Sequence, residues 1–281
     1  MSVGPARIWL CADDYGMSPS VSAAIRDLIT RGRINATSVM TVAPSFQRNE
    51  ATALDQAAAG RAAIGLHVTL TAPYRPLSTG FTPVRNGKFL PLRTLLAYAG
   101  LRQLNLDALS REITAQIEAF VAAFGRAPDF VDGHQHVQLF PQVREAFLQT
   151  VKARASRAWV RQCGRALPMA RRLADRKGLL LDMLSSGFRT RATALGVRTN
   201  SAFAGTYDFN DNADFEKLFL AFIEGLPDNS VVMCHPGHVD DELRRLDDLT
   251  TLREQEYAYF SGEGFPAVLA AHRVALAVPE K

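Results

Sequence analysis

Long apolar runs are missing. No stretch of the 281-residue chain approaches the ~20 apolar residues that a bilayer-spanning helix needs, so a membrane-embedded protein is not expected. The N-terminus lacks a charged region followed by an apolar run, so no secretory signal is expected either. Cysteine is scarce: Cys11, Cys163 and Cys234 are far apart and odd in number. That argues against a disulfide framework and for a reducing compartment, with a cytoplasmic protein as the expectation. Cys11 and Cys234 sit in apolar, strand-like runs, where a free cysteine behaves as a small hydrophobe. A strong excess of one charge is also absent. The formal net charge is only +4, which gives no indication of a general nucleic-acid binder. No internal repeat, low-complexity tract or clear linker divides the chain, so one domain over residues 1–281 is expected.

What is present is a globular composition, 47% apolar, in a length suited to one (β/α) barrel. Residues 8–13, 36–42, 63–68, 130–132, 158–161 and 230–234 read as strands. Residues 19–31, 46–59 and 106–124, and a stretch beginning at Pro141, read as helices. In 106–124, Leu109, Ile113, Ile117, Phe120 and Phe124 share one face. Strands alternating with helices imply a parallel sheet with right-handed crossovers, an α/β fold. A long loop, 69–92, carries Tyr74 and Phe81, which suit a lid, a sugar platform or plain loop anchors.

The chain is organised around the run Cys11-Ala12-Asp13-Asp14-Tyr15-Gly16-Met17-Ser18-Pro19. An apolar strand runs into two adjacent carboxylates, then into a helix start with Ser18 placed to cap and Pro19 at the first helical position. Like charges side by side are costly unless something cationic is held there. Three later strand ends also carry metal-competent groups: His67, then His134 with His136, then His235 with His238. Five of the six histidines lie at these tips. A barrel gathers all its strand ends on one face, so the joint pattern points to a divalent metal site. One carboxylate and two imidazoles leave open positions on the ion, and a second carboxylate off the metal can take a proton. This is a kit for metal-assisted hydrolysis of an amide or ester. Arg161 ends a strand and is a candidate to steady an oxyanion or a sugar hydroxyl. Thr199 and Asn200 suit sugar binding or a turn, and Arg253, Glu254 and Glu256 read as surface charges on a helix.

The motifs Ala12-Asp13-Asp14-Tyr15-Gly16, Ile64-Gly65-Leu66-His67-Val68, Asp132-Gly133-His134-Gln135-His136-Val137-Gln138-Leu139-Phe140-Pro141, Gly196-Val197-Arg198-Thr199-Asn200 and Cys234-His235-Pro236-Gly237, in this order, resemble the YdjC-like (ChbG-like) carbohydrate deacetylases. The resemblance implies a distorted TIM-like (β/α) barrel that removes acetyl groups from N-acetylated sugars with one divalent ion. Carried over, Asp14, His67 and His134 are the metal ligands, Asp13 the catalytic base and His235 the acid or a substrate contact. His136, Arg161 and Asn200 are candidate substrate contacts. Gln138 stands where the family often has a further histidine and is not counted as a ligand. Two imidazoles and a carboxylate suit Zn²⁺, with Mg²⁺, Mn²⁺ and Co²⁺ open.

The sequence also looks like the subgroup associated with hopanoid biosynthesis, which implies an N-acetylglucosaminyl glycolipid as substrate. The basic stretch 152–177, with nine Lys and Arg against Asp175, is compatible with peripheral contact with an anionic membrane surface, although charge runs usually mark a solvated helix face. A homodimer is compatible with the sequence. Two rivals share the scaffold: a metal-dependent phosphoesterase, and a sugar-binding barrel without activity.

Overall fold

The computed structural model describes residues 4–166, 176–209 and 213–278. Among these, the helices are α1 (Pro19–Thr30), α2 (Arg48–Ala58), α3 (Leu92–Gly100), α4 (Leu106–Phe124), α5 (Val143–Arg154), α6 (Arg176–Ala194), α7 (Phe215–Ile223), α8 (Asp241–Leu246), α9 (Thr251–Ser261) and α10 (Phe265–Ala271). The strands are β1 (Ala6–Tyr15), β2 (Ala36–Val39), β3 (Ala63–Val68), β4 (Phe130–Gly133), β5 (Trp159–Val160), β6 (Phe203–Ala204), β7 (Ser230–Cys234) and β8 (Val274–Leu276).

All strand pairings within the sheet are parallel, in the order β5-β4-β3-β2-β1-β7-β6, with β8 against the start of β1. The two edges are stitched together. Val160 bridges Thr199, and Phe203 N donates to Gly164 O (3.0 Å) just beyond β5. The sheet therefore curls into the distorted α/β barrel that the alternating pattern predicts. Strands covered on both faces should read as unbroken apolar runs, and β2, β3, β4 and β7 are buried at every position.

Local chemistry accounts for the elements. Ser18 caps α1 by accepting from Val21 N, with Pro19 in the first turn. Asn105 caps α4, and Gly125 ends it in the left-handed region, φ 70°. The apolar face of α4 is buried as its spacing requires, but Glu112 and Gln116 are buried beside it. Gln116 pairs with the backbone of Thr69, and Glu112 accepts from the backbone N–H groups of Leu77 and Ser78. The long loop is thus tied to the barrel wall. Tyr74 and Phe81, 3% and 6% exposed, are its anchors.

Two glycines are dictated by packing. A Cβ on Gly65 in β3 would lie 2.4 Å from the Phe130 ring, which stacks on Trp159. Gly205, at φ +108°, follows β6 so closely that a Cβ would stand 2.1 Å from the Met233 carbonyl oxygen.

The expected strand 36–42 stops at Val39, with Met40 N making the last bond to β1, at Tyr15 O. The helix expected from Pro141 begins at Val143. No helix among the described residues is long and apolar enough to cross a membrane. Of the basic stretch 152–177, residues 167–175 lie outside the described residues. Within it, Arg161 is fully buried and Arg165 pairs with Asp182 at 2.9 Å, so neither belongs to a solvated basic face.

Candidate metal centre and catalytic cleft

The carboxyl ends of β1, β3, β4 and β7 open into a cleft of 440 Å³, whose lining includes Asp13, Asp14, His67, His134, His136, His235 and Arg253. The register of β1 against β2 shifts between Ala12 and Tyr15, a bulge at the acidic tip. Asp14 there has φ 70°, a conformation costly for a residue with a Cβ and concentrated at functional sites. Gln135 and His136 repeat the feature at the end of β4, with φ 55° and 59°.

The bulge sends the two adjacent carboxylates to different partners. Asp14, 1% exposed, places Oδ1 3.0 Å from His134 Nδ1 and 3.3 Å from His67 Nε2. Its Oδ2 accepts from Arg253 Nη2 at 2.6 Å. One donor atom each from Asp14, His67 and His134 lies within 4.8 Å of the others. His67 Nδ1 is 2.6 Å from Asp132 Oδ1, so the far ring nitrogen faces Asp14. A carboxylate behind an imidazole fixes its tautomer and raises its basicity, the usual support of a ligating histidine. These three side chains fit a divalent cation: one oxygen, two nitrogens, buried, at the edge of an open cleft.

Asp13 faces the same cleft but is held from behind. Arg161, with no exposed surface, donates Nη1 to Asp13 Oδ2 and Nη2 to Asp13 Oδ1, each at 2.6 Å. Its Nη2 also stands 2.6 Å from Asp132 Oδ2, and Ser38 Oγ donates to Asp13 Oδ1 at 3.1 Å. Asp13, Arg161, Asp132 and His67 therefore form one buried chain. Burial opposes ionisation of Asp13, but Arg161, followed by His67, more than offsets it and holds the carboxyl well below the usual range. Asp14 is likewise held well below it, against burial, by Arg253 and then His134. Burial also works against a charge on His67, yet Asp132 and Asp13 outweigh it and push its proton affinity up to about 10.

His235 N donates to Glu256 Oε2 at 2.5 Å, and Tyr207 hydroxyl donates to Glu256 Oε1 at 2.8 Å. Burial lowers the proton affinity of His235, and its Nδ1 has no partner. Glu256 itself is 1% exposed, and burial raises its carboxyl to about 7. His136 reaches the cleft with its Nδ1 3.6 Å from Cys163 Sγ, and burial, then Arg161, lowers it to about 3.

The structure places several of the residues singled out from the sequence elsewhere. Arg161 does not reach the cleft surface, because its guanidinium is consumed by Asp13 and Asp132. Asn200, 2% exposed, bonds to the backbone of Gln162 and Ala202 and braces the β5–β6 closure instead. His238 turns away onto Tyr257. Arg253 and Glu256 are not surface charges: both are buried, on the face of α9 that also buries Leu252 and Phe260. The spacing 252, 253, 256, 260 is a helical apolar stripe, and charged residues on such a stripe are the signal that could have found them.

Comparison with known proteins fits this geometry. The chitooligosaccharide deacetylase of Yersinia enterocolitica is 28% identical over 82% of this chain and 81% of its own length. Carbohydrate deacetylase 1 of Listeria innocua is 25% identical over 95% and 96%. Among solved structures, a protein of Enterococcus faecalis V583, named as a candidate cellobiose-phosphate cleavage protein, superposes with a TM-score of 0.77 at 20% identity, covering 98% of this chain and 97% of that one. The model of the family described as YdjC-like protein matches residues 7–271, and the chain belongs to that family.

Proposed function

We propose that the protein is a metal-dependent N-deacetylase of N-acetyl amino sugars, acting on an N-acetylglucosaminyl carbohydrate or glycolipid, a hopanoid-linked one included. The observation that carries this is the meeting of Asp14, His67 and His134 beside Asp13 and His235 in one cleft, together with relatives named as deacetylases of chitooligosaccharides and carbohydrates. Zn²⁺ or Mg²⁺ is the ion of this reading, with Co²⁺ and Mn²⁺ as substitutes. The three free, buried cysteines support a cytoplasmic site of action.

A divalent cation in this pocket would polarise the acetyl carbonyl and make a neighbouring water acidic. Asp13, fixed on both oxygens by Arg161, receives the proton of the attacking water. His235, at the end of the neighbouring strand β7, supplies a proton to the departing amine. His136, kept neutral by burial, is a hydrogen-bonding contact for a sugar hydroxyl. Arg161 acts through Asp13 as a positioning residue. The depressed proton affinity of Asp13 and the neutral state of His235 favour a second proton path, in which His235 both takes and returns the proton while Asp13 supplies negative charge.

The experiment is acetate release from a panel of soluble and lipid-linked N-acetylglucosaminides, with and without chelator. Release that stops with chelator and returns with Zn²⁺ or Mg²⁺ is expected. Phosphate release from model esters without acetate release would replace this reading by a phosphoesterase, and sugar binding without either product by a binding barrel.

A further inference from the structure

Arg253 has a donor that nothing in the protein uses. It is the only lysine or arginine among the described residues lining the cleft, and it has no exposed surface. Its Nε donates to Leu249 O at 3.0 Å, and its Nη2 donates to Asp14 Oδ2 at 2.6 Å and to Asp247 Oδ2 at 2.7 Å. A guanidinium offers five N–H groups, so the two on Nη1 remain. Nη1 is buried and has no partner. Leaving a buried charged donor unmatched is costly, and Arg253 lines the open cleft, through which an acceptor can arrive.

The surroundings select that acceptor. Asp13, Asp14, Asp247 and Asp248 line the same cleft, and their charge repels a free anion at the mouth. A neutral carbonyl oxygen, carried in by a ligand gripped elsewhere, meets no such barrier. Arg253 grips Asp14 through Oδ2 while Oδ1 faces the two imidazoles, so an acyl oxygen drawn toward that trio arrives beside the guanidinium. We propose that Arg253 is the acyl-recognition residue of the cleft: Nη2 fixes Asp14, and Nη1 donates to the carbonyl oxygen of the substrate's acetyl group. The assignment rests on the deacetylase reading. The contact strengthens as that oxygen gains charge, the general logic of oxyanion stabilisation.

The test compares wild type with Arg253→Lys and Arg253→Gln. Lysine keeps a charge for Asp14 but cannot donate from separate positions of a rigid fork. Zn²⁺ affinity, read by calorimetry on chelator-stripped protein, should change only a few-fold in Arg253→Lys, while kcat/KM falls on the order of 100-fold at saturating Zn²⁺ and inhibition by acetamide, which carries a neutral acetyl carbonyl, disappears. A loss of rate that saturating Zn²⁺ restores would mean that Arg253 serves Asp14 alone and would overturn the assignment. Unchanged acetamide inhibition in the variants would do the same. If neither variant melts cooperatively, a crystal of zinc-loaded wild type soaked in acetamide decides: its carbonyl oxygen on Arg253 Nη1 supports the assignment, and an amide elsewhere or none overturns it. Failure of the wild type to release acetate from any substrate would sink the deacetylase reading itself, a separate outcome.

Discussion

Asp13 and Asp14 are consecutive in the chain and belong to two differently built halves of one site. Asp13 heads a chain of buried partners, Arg161, Asp132 and His67, all placed at or beside the ends of strands β5, β4 and β3. Asp14 leans on Arg253, which with Glu256 comes from helix α9, far along the sequence. On the strand-borne half, direction is set by the sheet, and, against burial, Arg161 holds the Asp13 carboxyl well below the usual range. On the helix-borne half, partners arrive through a packing face, and one carboxyl, Glu256, sits near neutral pH. The comparison separates a rigid, permanently charged wall from one whose charge responds to the solution.

The largest expected effect joins the halves. Asp14→Ala or His67→Ala removes a donor from the cation trio, and bound metal in elemental analysis and acetate release should be lost together. Metal retained at wild-type stoichiometry would break the convergence on which the site rests. Asp13→Asn comes next. It leaves the trio intact, so metal content should match wild type, while kcat falls roughly 10²–10⁴-fold as expected for a lost proton acceptor. A fully active Asp13→Asn with a dead His235→Ala would transfer the proton work to His235, whose backbone N–H rests on Glu256 of the helix-borne half. Arg161→Met tests the wall itself. Withdrawing the cation from between Asp13 and Asp132 removes the guanidinium that two buried carboxylates share, leaving Asp132 to His67 and Asp13 to the Ser38 hydroxyl, a loss of about 3–5 kcal/mol that denaturant unfolding would read. Arg161→Met combined with Asp13→Asn and Asp132→Asn should be far milder, since no buried charge is then left without its partner.

The same division governs what was legible in the sequence. Strand-end residues announce themselves, because a polar group terminating an apolar run has one place to go. Asp13, Asp14, His67, His134 and His235 all reach the cleft for that reason. Arg161 was legible as a strand-end cation but not in its direction: directly after a two-residue strand, its side chain turns inward to neutralise carboxylates that only the fold brings near. Asp132 read as part of a strand, and its task behind His67 depends on the register of β3 against β4, in which it pairs with His67. Arg253 and Glu256 were hidden by their type. Arginine and glutamate on a helix are mostly solvated, and nothing local distinguishes those that a barrel mouth will cover. The absence of a second cation beside Asp13 and Asp14 in sequence made a metal seem the sole relief for adjacent carboxylates, whereas each also has an arginine of its own.

The smallest effect is the one that most sharpens the contrast, and its sign is fixed by burial. The carboxyl of Glu256 rises from an ordinary 4.5 to about 7 on folding. Between those values the folded protein binds more protons than the unfolded chain, so stability falls as pH rises through the window and is recovered below it. Glu256→Gln keeps an oxygen for the His235 N–H and a polar contact for Tyr207 while removing the titration. From pH 8 to pH 5 the stability of wild type should therefore gain about 2–3 kcal/mol relative to Glu256→Gln, measured as the difference between their urea-unfolding free energies at each pH. The Asp13 carboxyl, on the other half, adds no titration of its own over that range, since Arg161 holds it well below that window. Parallel profiles for wild type and Glu256→Gln would place both walls in the same permanently charged class and erase the distinction.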